Sequence, residues 1–108
     1  MAEQLTPYVR PQECGGHAAV RWLEAGGLRI ELDRARQVSA LHVTAHDLDA
    51  ATHDDELAPR PETFVTIDAA HRGVGTASCG PDTLAPYLVP VGTHTWTWTI
   101  ASLESPTA

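Results

Sequence analysis

The sequence of 108 residues has no lysine, one phenylalanine, one methionine and two cysteines. All seven basic residues are therefore arginine, set against fourteen acids for a formal charge of −7. An acidic chain without a basic cluster repels phosphate, which excludes nucleic acid and anionic membrane surfaces as expected partners. No apolar run is long enough to span a bilayer. The first ten residues also lack the apolar stretch of a secretory signal, so a cytoplasmic location is expected. Cys14 and Cys79 are too few and too far apart for a disulfide framework or a C-x-x-C zinc knuckle.

Large apolar side chains are scarce as well. Apolar residues make up 43% of the chain, but sixteen of them are alanines. Leu, Val, Ile, Trp, Tyr, Phe and Met together number 28. Small chains already bury a smaller share of their surface, so this count points to a marginal domain or a piece of a larger one.

What is present reads mostly as strand. Residues 1–10 form an extended lead-in, 11–103 the folded region and 104–108 a tail. Ala18–Glu24 and Leu28–Leu32 alternate around Ala25-Gly26-Gly27 as a hairpin. Val20 and Leu23 fall out of phase, which predicts a bulge in the first strand. Val38–Val43 continues as a strand, and Thr63–Asp68 is β-branched and extended. Tyr87–Val91 and Thr93–Ala101 are expected as strands joined at Pro90-Val91-Gly92. In the last, His94, Trp96, Trp98 and Ile100 alternate with threonines, which predicts one buried and one solvated face. On that basis Trp22, Trp96 and Trp98 are expected to be mostly core. One helix of two or three turns follows Thr44, an N-cap with Asp47 in the capping-box position. The fold class is mainly β, an antiparallel β-sandwich with one short helix.

Catalytic and metal chemistry find little support in the pattern. His42, His46 and His53 lack H-E-x-x-H spacing, and the first two straddle a strand end and a helix start. No metal or other cofactor is expected. Ser78-Cys79-Gly80 follows His71 in a glycine-rich stretch, but no lysine or helix start is there to activate the thiol.

Four ordered motifs carry more information. Pro11-Gln12-Glu13-Cys14-Gly15-Gly16 with Val20-Arg21-Trp22-Leu23 comes first. Thr44-Ala45-His46-Asp47-Leu48 with Ala51-Thr52-His53 follows. Then come Ile67-Asp68-Ala69-Ala70-His71-Arg72-Gly73-Val74-Gly75 and Ser78-Cys79-Gly80-Pro81-Asp82 with Tyr87. Together they resemble the C-terminal domain of the bacterial β-galactosidases of glycoside hydrolase family two, over roughly Tyr8 to Ile100.

The resemblance implies part of a galactose-mutarotase-like supersandwich, not catalytic alone. The catalytic glutamates of that family lie in a separate barrel that nothing here matches. It also implies that the loop after Gly73-Val74-Gly75 shapes the rim of the galactoside site in the full enzyme. The residues expected there are His71, Ser78, Cys79 and Gly80. Cys79 stands where many members carry a tryptophan that stacks on the sugar, so the aromatic platform is lost at that position. Cys14 stands where the family often has Asn. The two thiols are expected to stay reduced in the cytosol. The implied partners are the galactoside and the rest of the enzyme chain, with a homodimer through an uncovered sheet face as a further possibility. A stand-alone carbohydrate-binding or interaction sandwich is the alternative reading.

Overall fold

The computed structural model of the protein describes residues 15–73 and 79–103. Strands β1 (Gly16–Ala25) and β2 (Leu28–Leu41) form an antiparallel hairpin. Gly26 and Gly27 connect them with φ of +57° and +76°. That left-handed pair is the geometry of a two-residue type I′ turn, which side chains with a Cβ resist.

The expected bulge in β1 is present. Its register against β2 slips between His17 and Val20 and again between Val20 and Trp22, and Ala19 takes φ of +58°. Val20 pairs with Arg36 whereas Trp22 pairs with Glu31, so β2 carries the surplus residues at this point. The stretches read as separate strands at 28–32 and 38–43 are thus one long β2. Its middle holds together because Asp33 and Arg36 pair with each other and bond to neighbouring backbone.

Helix α1 (Ala45–Ala50) begins at the predicted cap. Thr44 Oγ1 accepts from the Asp47 N–H at 3.1 Å, and Asp47 Oδ2 accepts from the Thr44 N–H at 2.9 Å. The helix has six residues, shorter than expected, because Ala51 turns to an extended conformation. A 3₁₀ turn at Asp54–Glu56 follows, and the Glu56 carboxylate accepts from the Thr52 N–H and hydroxyl. Arg60 then returns to Asp47 with two bonds of 2.7 Å, tying the following loop to the cap.

Strands β3 (Phe64–Ile67) and β4 (Trp98–Ser102) complete a four-stranded antiparallel sheet. β3 pairs with Val38–Leu41 and β4 with Leu28–Leu32, so both pair with the same long strand, one at each end. The class is mainly antiparallel β with one short helix, as the sequence predicts.

Three expectations are corrected. Tyr87–Val91 is not a strand: Ala85–Tyr87 makes a 3₁₀ turn with Pro86 inside it, and the rest is irregular. Proline fixes φ and removes the donor that a ladder needs. The last strand is shorter than expected and begins at Trp98, not Thr93. Trp22, Trp96 and Trp98 are not core but 52%, 40% and 50% exposed.

The alternation of β4 still sorts its faces. Trp98 pairs with Leu32 and Ile100 with Ile30, which pairs in turn with Leu23. Directly opposed residues share a face. This face is apolar, yet Leu28, Trp98, Ile100 and Leu103 on or beside it are exposed. Trp22 belongs to the other face, opposite Glu31, with the Arg29 guanidinium 4.2 Å from its ring centre. Arg29 bonds to Glu24 and Glu31, each at 2.9 Å. The buried apolar residues cluster elsewhere: Val38, Ala40, Leu41, Val43 and Ala51, with Ile30 the exception.

Candidate functional site

The segment leading to the proposed rim leaves β3 at Asp68. The Asp68 N–H donates to the Gln37 carbonyl, which extends the β3 pairing by one bond. His71 then turns back, and its Nδ1 lies 2.8 Å from Asp68 Oδ2. A carboxylate only accepts, so the proton sits on Nδ1 of the ring.

Arg36 anchors the same segment from below. Its residue is 5% exposed, and its guanidinium donates to both Asp33 oxygens at 3.0 and 2.8 Å and to the Ala69 carbonyl at 2.6 Å. The Arg36 hydrogen bonds hold the Asp33 carboxyl down at about 2, helped by the Thr97 N–H. Asp33 in turn exchanges backbone contact with Thr97, just before β4. One ion pair thus links the start of the rim segment, the middle of β2 and the approach to β4.

Gly73 closes the base of the loop. Its N–H donates to the Tyr87 carbonyl at 2.9 Å, and its carbonyl accepts from the buried Thr83 hydroxyl at 2.8 Å. A Cβ at Gly73 would lie 2.9 Å from Tyr87 Cβ, so no side chain fits without movement. Arg72 pairs with Asp82 across the same loop, and the Asp82 carboxylate also accepts from the Thr83 N–H.

Of the residues expected at the rim, His71, Cys79 and Gly80 are exposed, and Cys79 is a free thiol. Ser78 and Cys14 lie outside the described residues. His42, one of the histidines weighed as a ligand, bonds instead through Nδ1 to the Glu62 carbonyl at 2.9 Å. Among the described residues, no three His, Cys, Asp or Glu side chains are grouped to hold a metal. The sequence reading missed Arg36 and Thr83. The i, i+3 spacing of Asp33 and Arg36 was a local signal for the first, but its carbonyl partner lies far along the chain.

A family model described as Beta galactosidase small chain matches residues 1–100. The chain is 40% identical to the Beta-galactosidase of Arthrobacter sp. (strain B7) over 85 residues, covering 69% of this chain and 8% of that protein. It is 33% identical to the Beta-galactosidase of Staphylococcus xylosus over 79 residues, again 69% of this chain and 8% of the relative. The Beta-galactosidase small subunit of Latilactobacillus sakei is 32% identical over 102 residues, 79% of this chain and 32% of the subunit. The chain therefore spans a small part of the length of these relatives. A match over nearly the whole chain shows the family, and the chain belongs to the β-galactosidase small-chain family.

Proposed function

We propose that this chain is the C-terminal β-sandwich portion of a β-galactosidase of glycoside hydrolase family two. It shapes the rim of the galactoside site and performs no catalysis alone. The observation that carries this is the family match over residues 1–100, joined to a sheet whose apolar face around Trp98 and Ile100 is open. In this reading the rest of the enzyme completes a galactose-mutarotase-like supersandwich over that face. The rim would be formed by His71, Ser78, Cys79 and Gly80, on a loop whose base is fixed by Gly73, Thr83 and Tyr87. Cys79 contributes a thiol where an aromatic ring would stack on the sugar, so contacts to the acceptor sugar come from other groups. The reading places the chain in the cytoplasm. No helix among the described residues is long and apolar enough to cross a membrane.

The test is complementation in trans. The Arthrobacter enzyme, truncated before the segment that matches this chain, is mixed with the purified chain and assayed with a chromogenic galactoside. Neither part alone turns over substrate, and the mixture does. Turnover by the chain alone, or an inert mixture of folded parts, overturns the reading.

A further inference from the structure

Among the described residues two polar side chains are buried, those of Arg36 and Thr83. Both donate to backbone carbonyls of the stretch that follows β3, Thr83 to Gly73 and Arg36 to Ala69. β2 is irregular where it carries Arg36. In β1, Arg21 alone lies between the paired residues Val20 and Trp22, against residues 32–35 of β2. Strand irregularities of this kind are over-represented beside functional sites, where they re-aim a side chain. Here the side chain is a guanidinium, and its target is backbone outside the sheet. β3 ends at Ile67, and the Asp68 N–H adds one further bond to β2 at the Gln37 carbonyl. The Ala69 carbonyl comes next.

We propose that Arg36 is a positioning residue for the β-galactosidase reaction. Through the Ala69 carbonyl it fixes the course on which residues 68–71 leave the sheet, and so where the rim stands. The anchoring rests on geometry, while its use in the reaction rests on the galactosidase reading above. The route from Ala69 to the rim is short. His71 follows two residues on and bonds back to Asp68. Arg72 and Gly73 then hold Asp82 and Thr83, just beyond Cys79 and Gly80.

The guanidinium suits this task because its direction is fixed. Nε and Nη2 donate side-on to the two Asp33 oxygens, at 3.0 and 2.8 Å, which sets its plane. Nη1 is then aimed at the Ala69 carbonyl, 2.6 Å away. Asp33 cannot drift with it, because the Asp33 N–H donates to the Thr97 carbonyl at 3.1 Å. Bidentate pairs of this kind add geometric definition as well as energy, and a lysine supplies the charge without the fork. A buried ion pair often adds no net stability over apolar side chains of the same volume. What this one adds is direction.

The test uses the full 108-residue chain in two assays, kinetics of the enzyme complemented in trans and amide exchange of the chain alone. Arg36→Met removes all three bonds. It raises the KM for a chromogenic galactoside about tenfold, short of the roughly hundredfold cost of a misplacement of about 1 Å. Arg36→Lys keeps the charge without the fork and raises KM less. It carries both assays should the Met variant fail to fold. Arg29→Met, on the hairpin beside Trp22, leaves KM unchanged. A purely structural role would lower the amount of active complex and leave KM where it was, so an unmoved KM in the Arg36 variants overturns the positioning role. In the chain alone, Arg36→Met speeds exchange of the Asp68 amide about tenfold relative to the Ala51 amide at the end of α1, the scale of one lost charge-assisted bond. Equal acceleration at both amides is global destabilisation and overturns the anchoring. Complementation with a normal KM overturns the positioning role alone. An inert mixture with selective acceleration at Asp68 supports the anchoring and overturns the galactosidase reading.

Discussion

The two ends of β2 contrast sharply. At the β3 end, Val38, Ala40 and Leu41 are buried, as are Val43 and Ala51 on either side of the capped helix. At the β4 end, Ile30 alone among the described residues is buried, and every residue of β4 is exposed. Both ends have complete ladders of backbone bonds and similar apolar side chains. They differ in how far those side chains are withdrawn from water. Hydrogen bonding thus sets where the strands run, and burial decides which of them form a core.

Acid should act on both ends at once and have the largest effect. Arg36 holds Asp33 at about 2, and the Arg60 and Thr44 bonds hold Asp47 well below the usual carboxylate range. A carboxyl depressed in the folded state adds stability that is fully present above its unfolded value of about 3.9. That contribution is lost as pH falls through the folded value. Urea midpoints should be flat from pH 7 to near pH 5 and then drop steeply toward pH 2. Arg36→Met and Arg60→Met should each flatten the drop, and a drop unchanged in both variants would break the assignment.

Next comes the covered end itself. Leu41→Ala should cost about 2–5 kcal/mol, the range for emptying a packed leucine site. The measurement is the shift in urea midpoint at constant slope. Thr44→Ala removes the cap at the same end and should cost about 1 kcal/mol. A Leu41 cost below that of Thr44 would mean that the covered end is not a core.

The smallest effect is expected at the open end. Ile100→Ser should change the stability of the isolated chain by no more than about 0.5 kcal/mol, as for other exposed positions. Its consequence lies in association. Exposed apolar faces drive self-association, so size-exclusion chromatography should show less of it for Ile100→Ser than for the parent chain. A large stability loss with unchanged elution would show that the Trp98–Ile100 face is already covered within the monomer.

How much of this was legible depends on how far apart the interacting residues lie. The hairpin at Gly26-Gly27 and the box of Thr44 and Asp47 are encoded within a few residues, and the sequence pattern finds both. The bulge around Val20 was visible as a break in alternation. The exposure of Trp96 and Trp98 was not, because alternation reports two different faces and carries no information on what lies over either one. The strand expected at Tyr87–Val91 fails at Pro86, whose locked φ suits a turn. The role of Arg36 was hidden for the opposite reason. An arginine in a strand reads as solvated, and its burial follows from the Ala69 carbonyl, which only the folded chain brings near.

The sharing of β2 by all three other strands also sets an order of assembly. The hairpin closes over two residues and forms in microseconds. β3 must close a loop from Leu41 to Phe64, and β4 a much longer one from Leu32 to Trp98. Longer closures cost more chain entropy before any contact repays it, so β4 is the last strand to zip and the first to leave. During synthesis the template strand therefore waits, one half of an edge unpaired, until the residues of β4, some sixty positions further on, have emerged.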